Sequence, residues 1–154
     1  MPFDPTPPHR EASLTYLALA HHWPSENDRC TKIGAHYVCR RCVVLWPIAL
    51  ASGLIFAMLA TGSFSRSTTL LVALCLPACV DFCLDNLAAI KYSPLRMQLL
   101  SIPLALGVGL GFARYFRNPS DASFWIVGIA FSAICGACAL FGAHQSRKTE
   151  MPSR

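Results

Sequence analysis

The sequence predicts an all-α integral membrane fold, a four-helix bundle preceded by a short N-terminal cytoplasmic segment rich in cysteine and histidine. Three observations carry that expectation. Only 14% of the 154 residues are charged and 54% are hydrophobic, where soluble domains carry about a quarter charged residues. Four apolar stretches approach or reach the ~20 residues needed to cross a ~30 Å hydrocarbon core. The polar breaks between them, GSFSRS, KYSPLR and RNPSD, are short enough to make neighbouring helices antiparallel.

The first 42 residues form the N-terminal segment. Pro2, Pro5, Pro7 and Pro8 predict a flexible tail, and HREASLTYLALAHHW predicts a short helix lying at the membrane interface. The apolar run Leu14 to Ala20 is too short for a signal peptide and follows an early acidic residue. The membrane segments are expected over 43–61, 68–90, 97–116 and 122–143, with a cytoplasmic tail over 144–154. A compact pair of helical hairpins is the expected arrangement. Gly107, Gly109, Gly111, Gly128, Gly136 and Gly142 place small residues along the third and fourth segments, where close helix packing uses them.

Orientation follows from the basic residues. With the N-terminus inside, Arg10, Arg29, Lys32, Arg40, Arg41, Lys91, Arg96, Arg147, Lys148 and Arg154 lie on the cytoplasmic side, against Arg66, Arg114 and Arg117 outside. That bias places both termini in the cytoplasm of a multi-pass inner-membrane protein. The net charge of +5 is spread along the flanks of apolar runs and lacks interleaved aromatics, so the expected partner is the lipid bilayer and not nucleic acid. The eight cysteines do not suggest a disulfide scaffold, because such scaffolds lack long apolar segments.

The segment CTKIGAHYVCRRC, residues 30 to 42, concentrates the soft ligands. Cys30, His36, Cys39 and Cys42, with His21 and His22 as alternates, make a Cys₃His set of the kind that holds structural zinc. Gly34 lets the connecting loop bend back, and Arg40 and Arg41 would offset the charge of three thiolates. Two other readings stay open, a cluster with no ligand and a Cys39/Cys42 redox pair. The second C-x-x-C, Cys135 and Cys138, lies in an apolar segment without histidine and reads as small buried residues.

Asp81 and Asp85 stand at i and i+4 inside the second segment, with Asn86 beside them. Charges at that depth cost ~2.5 to 3.5 kcal/mol and turn toward the bundle interior. Arg41 and Arg96 emerge on the same side, and pairing of Asp85 with one of them is expected, leaving Asp81 unpaired. The pair could fix helix packing or form a functional pocket; both readings stand. Pro77 frees the carbonyl of Ala73 one turn before that face. Cys75, Cys79 and Cys83 repeat every four residues, turned roughly 160° from the aspartates; they read as packing residues first, with a path for a soft metal as the other reading.

HHWPSENDRC, then YVCRRC at the first membrane segment, then VDFCLDN with YSPLR, then the glycine-spaced third segment, resemble the prokaryotic domain-of-unknown-function family 2085 of small predicted membrane proteins. The resemblance covers roughly His21 to Gly111 and maps onto Cys39, Arg41, Cys42, Asp81, Ser93 and Arg96, with His22 and Pro24. Members usually place a cysteine before the histidine and Thr-Gly after the C-x-R-C, where this chain has His21 and Val43-Val44. The resemblance implies an integral membrane protein with its marked residues gathered on one side, and implies no reaction.

Three functional classes follow. The first is a non-enzymatic membrane protein with a zinc-type site over a polar pocket of Arg41, Asp81, Asp85, Asn86, Ser93 and Arg96, taking a small ligand, an ion or a membrane protein partner. The others are a membrane enzyme acting on a lipid-linked substrate and a thiol-redox membrane protein.

Overall fold

The computed structural model describes residues 29–34, 36–59, 67–87 and 89–150. The proline tail, the interfacial helix and the alternate ligands His21 and His22 lie outside the described residues. The chain divides into two compact units, Met1–Val43 and Val44–Arg154.

In the first unit the cysteine-rich segment is a β-hairpin, an element that an all-α expectation omits. Strands β1 (Cys30–Ile33) and β2 (His36–Cys39) pair antiparallel, with Cys30 opposite Cys39 and Ile33 opposite His36. Gly34 follows β1 with a φ of 61°, the left-handed backbone a tight hairpin loop demands and glycine supplies without steric cost. Thr31, Tyr37 and Val38 add the β-branched and aromatic side chains that favour the pleated backbone. The hairpin runs directly into helix α1 (Arg40–Leu59), and the Arg40 Nε donates to the Cys30 carbonyl at 3.0 Å, tying the helix start to the first strand.

Among the described residues, four helices are long and apolar enough to cross a membrane: α1, α2 (Thr68–Asn86), α3 (Pro94–Arg117) and α4 (Ala122–Glu150). Their ends shift from the expected ones for local reasons. Helix α1 starts at Arg40, because β2 ends at Cys39 and the chain turns at once. Helix α2 stops at Asn86, four residues short of Ile90: the Leu87 N–H closes on the Cys83 carbonyl and the Ala89 N–H reaches back to that of Leu84, both at 2.9 Å. Helix α3 begins at Pro94, three residues before Met97, because Ser93 caps it, accepting from the Arg96 N–H at 3.5 Å, and proline fits the first helical position. Helix α4 continues to Glu150, through residues expected in the tail, because HQSRKTE contains no helix breaker.

Within the second unit α2 is the central helix, packed on α3 along one side and on α4 along another. This differs from the expected pair of sequential hairpins. Small residues explain it: Cys75, Ala78 and Cys79 are buried on α2, and a Cβ added at Gly107 of α3 would meet the Cys75 Sγ at 2.7 Å. The core joins Leu71 and Cys75 of α2, Leu110 of α3 and Val127 of α4, with Phe56 of α1 against them. Helix α1 meets α3 at a close crossing, where Ser52 donates to the Ala49 carbonyl at 3.3 Å and the Ala105 carbonyl at 3.5 Å. A Cβ on Gly109 would strike the Ala49 carbonyl there at 2.7 Å. Gly128 and Gly136, expected to serve packing too, have nothing within 4 Å in the described chain. Leu50, Leu54, Met58, Ile126, Ile129 and Leu140 are exposed, the outward apolar surface a lipid-facing helix carries.

Candidate functional site

Helix α2 presents two different chemistries to its two neighbours. Toward α3 it turns Asp81, 5% exposed, whose Oδ1 accepts from the Arg96 Nε at 2.6 Å. Arg96 stands two residues into α3, and its Nη2 donates to the Lys91 carbonyl at 3.1 Å, so one guanidinium ties α2, α3 and the loop between them. Such an ion pair resolves the main cost of a carboxylate at that depth, which is an uncompensated charge away from water. One expectation is thereby corrected: Asp81, expected to be unpaired, holds Arg96. The physical reason is depth. Asp85 lies in the last turn of α2 and is half-buried, whereas Asp81 lies a turn deeper and is the more deeply buried of the two.

The remaining pocket residues take separate roles. The Asn86 Nδ2 donates to the Phe82 carbonyl at 2.8 Å, a bond within its own helix. Ser93 caps α3. Arg41 is half-buried in the first turn of α1 and belongs to the first unit, while Asp81, Asp85, Asn86, Ser93 and Arg96 belong to the second.

Toward α4, helix α2 turns sulfur. The thiols of Cys79 and Cys83, one turn apart on α2, and of Cys135 on α4 lie within 4.8 Å of one another and could hold a metal ion. The Sγ atoms of Cys79 and Cys135 are 3.6 Å apart. Cys138, three residues along α4, interacts with Cys83. Tetrahedral zinc with Zn–S bonds of ≈ 2.3 Å separates its sulfurs by about 3.8 Å, so the three thiols need to close by about an ångström at most. All eight cysteines are outside disulfides.

These are residues that sequence reasoning assigned to packing. The signal that could have found them is the combination of C-x-x-x-C on one apolar helix with C-x-x-C on another, each putting two sulfurs near one face. The N-terminal set is arranged differently. Cys30 and Cys39 are buried directly across the hairpin from each other, with Cys42 in the first turn of α1. His36 is exposed at the turn end, three residues from Cys39. That is about 10 Å along a strand and an odd number of residues, which puts the imidazole on the opposite face from the Cys39 thiol. Among the described residues, the ligand group that does converge is the one between α2 and α4.

The other end of the second unit carries a second ion pair that the sequence reading did not single out. The Arg114 Nε donates to the Asp121 Oδ2 at 2.7 Å, with Arg114 9% and Asp121 20% exposed. The other oxygen of Asp121 accepts the Ser123 N–H at 2.9 Å and caps α4. Burial pushes the Asp121 carboxyl up, but the Arg114 guanidinium and the backbone N–H groups of Ser123 and Phe124 outweigh it and hold it below its ordinary value. Tyr115, Phe124 and Trp125 cluster around this turn, and the Trp125 Nε1 donates to the Pro119 carbonyl at 2.7 Å. An aromatic cluster at the end of apolar helices suits a membrane–water boundary.

The fold and its contents define a class: a mostly helical chain with, among the described residues, four helices of membrane-spanning length and apolarity, a half-buried ion pair and a convergent thiol group. Compared with family models, with curated proteins and with solved structures, the chain matches none of them.

Proposed function

We propose that this chain is a multi-pass membrane protein that binds a thiophilic metal ion between its helices, at Cys79, Cys83 and Cys135, without being an enzyme. The observation that carries the reading is the convergence of three sulfurs from two helices within 4.8 Å. Soft thiolate donors select Zn²⁺ and Cu⁺ over hard cations. The Asp81–Arg96 pair serves the site indirectly: it locks the opposite face of α2 to α3 and so fixes the rotation of α2 that presents Cys79 and Cys83 to α4.

The likeness to family 2085 belongs to the proposal. Asp81, Ser93 and Arg96, three of its matched positions, make one local assembly in which Ser93 caps the helix that carries Arg96 and Arg96 holds Asp81. The basic-residue bias supports an inner-membrane protein with both termini cytoplasmic. Reporter fusions in the breaks around Ser65, Tyr92 and Ser120 test that orientation: the second should report cytoplasm and the others the outside, and the reverse pattern rejects it.

The binding test is equilibrium dialysis of the reduced, detergent-solubilised chain against Zn²⁺ and Cu⁺. About one equivalent per chain is expected, lost in Cys79→Ser; unchanged uptake by that variant rejects the site. A second reading draws on the 3.6 Å between Cys79 and Cys135, a dithiol that a two-electron oxidant such as a membrane quinone converts to a disulfide between α2 and α4. Trapping that disulfide quantitatively in cells, with no metal bound, favours it over metal binding.

A further inference from the structure

We infer that Cys30 and Cys39 are a reversible thiol–disulfide site that staples the open end of the β1–β2 hairpin, with a small-molecule disulfide such as oxidised glutathione as its co-substrate. The site is independent of metal binding between α2 and α4. Register is the first ground. Ile33 and His36 are opposed across residues 34 and 35, which makes them a hydrogen-bonded pair, and the two kinds of pair alternate from there along an antiparallel ladder. Lys32 and Tyr37 are therefore a non-hydrogen-bonded pair, Thr31 and Val38 a hydrogen-bonded one, and Cys30 and Cys39 a non-hydrogen-bonded one. In such a pair the opposed Cα atoms stand about 4.5 Å apart with both side chains on one face. That separation lies inside the roughly 4.4 to 6.8 Å range a disulfide spans.

Burial and position agree with the register. Cys30 is 3% and Cys39 6% exposed, so the two sulfurs are covered together, whereas Cys42 is half-buried in the first turn of α1. The turn end of the hairpin is closed by Gly34 in its left-handed conformation. The cysteine pair sits at the other end, where strands fray first, and beside the bond from the Arg40 Nε to the Cys30 carbonyl. Oxidation therefore fixes the lead-in to α1, and reduction releases it.

The chemistry is thiol–disulfide exchange. One cysteine thiolate attacks the small disulfide and expels one small thiol, and the second cysteine attacks the mixed disulfide and expels the other. One S–S bond forms and one breaks: the two cysteines lose two electrons to the co-substrate, and their two protons end on the two leaving thiols. Because both cysteines are buried, exchange proceeds through local opening of the short hairpin. On the cytoplasmic side proposed above, such a bond is transient and senses oxidation.

The test equilibrates the full chain in lipid nanodiscs, with a metal chelator present, in glutathione buffers from fully reduced to fully oxidised. Remaining thiols are alkylated, and the chain is digested with trypsin without reduction. Cleavage after Arg29, Lys32, Arg40 and Arg41 puts Cys30, Cys39 and Cys42 on three separate peptides. The expected result is peptide 30–32 joined to peptide 33–40 in the oxidised buffers and released in the reduced ones. Cys42→Ser should move the glutathione ratio at half-oxidation by less than about threefold, whereas Cys30→Ser should abolish the link and leave Cys39 open to alkylation. A link from peptide 33–40 to the peptide carrying Cys42, or alkylation of both Cys30 and Cys39 in the most oxidised buffer, overturns the site and leaves the metal-binding reading standing.

Discussion

Asp81 lies two residues from both Cys79 and Cys83, yet the carboxylate and the sulfurs serve different neighbours. At 100° per residue that separation is 200°, so a helix cannot turn one kind toward α3 without turning the other toward α4. The ion pair therefore has a consequence beyond its own energy. Because Asp81 is buried and Arg96 is about one-third exposed, Asp81→Asn or Arg96→Gln should destabilise the fold by about 2–3 kcal/mol, below the value for fully buried pairs because solvent screens the arginine. The double variant should cost less than the sum of the two, since no charge is left alone. Thermal unfolding in detergent checks the single and double variants; fully additive losses in the double variant would reject the pairing of Asp81 with Arg96. The sequence carried a carboxylate of α2 facing an arginine, Arg41 or Arg96, but not that Asp81 takes Arg96, because both carboxylates share a face and only the depth of each relative to Arg96 decides.

The helices make their own predictions. Gly109 and Gly128 look alike in the sequence, but α1 crosses α3 over the first and nothing approaches the second. Gly109→Ala should destabilise by about 1–3 kcal/mol through overpacking against the Ala49 carbonyl and Ser52. Gly128→Ala should be neutral or stabilising by up to about 1 kcal/mol, the helix propensity difference. Similar losses for both would mean that α4 packs more closely than the described chain shows.

At the α3–α4 turn, the folded carboxyl of Asp121 titrates below its ordinary value of 3.8. A group depressed in the folded state binds its proton more readily when unfolded, so its stabilisation is complete above the ordinary value and is lost as pH falls through the folded one. The stability gap between the wild type and Asp121→Asn should thus be constant near neutrality and narrow steadily below about pH 4. A gap that stays constant down to pH 3 would show that Asp121 does not hold Arg114 as a carboxylate. Helix existence and approximate span were legible at this scale, because long apolar runs bounded by polar breaks admit few alternatives. The ends were not: the cap at Ser93, the closure at Leu87 and the strand-to-helix turn at Arg40 depend on single backbone hydrogen bonds.

For the whole molecule, composition and run length made four apolar helices legible, while their arrangement was not, since short connections do not say which helix lies in the middle. That α2 is central follows from where small side chains allow close approach, and it is the same centrality that gives α2 an ion-pair face and a sulfur face. The cysteine-rich N-terminal segment drew the metal expectation because its ligands are dense in sequence. In space the hairpin register sends His36 to the far end from Cys39, while two sparser motifs on separate helices converge. One comparison of variants decides between the two groups. Metal stoichiometry should be measured in parallel for the chain carrying C79S, C83S and C135S together and for the chain carrying C30S, C39S and C42S together, both in nanodiscs under reducing conditions. The first chain should lose its bound thiophilic ion and the second should keep about one equivalent; loss in the second with retention in the first would contradict metal binding between α2 and α4.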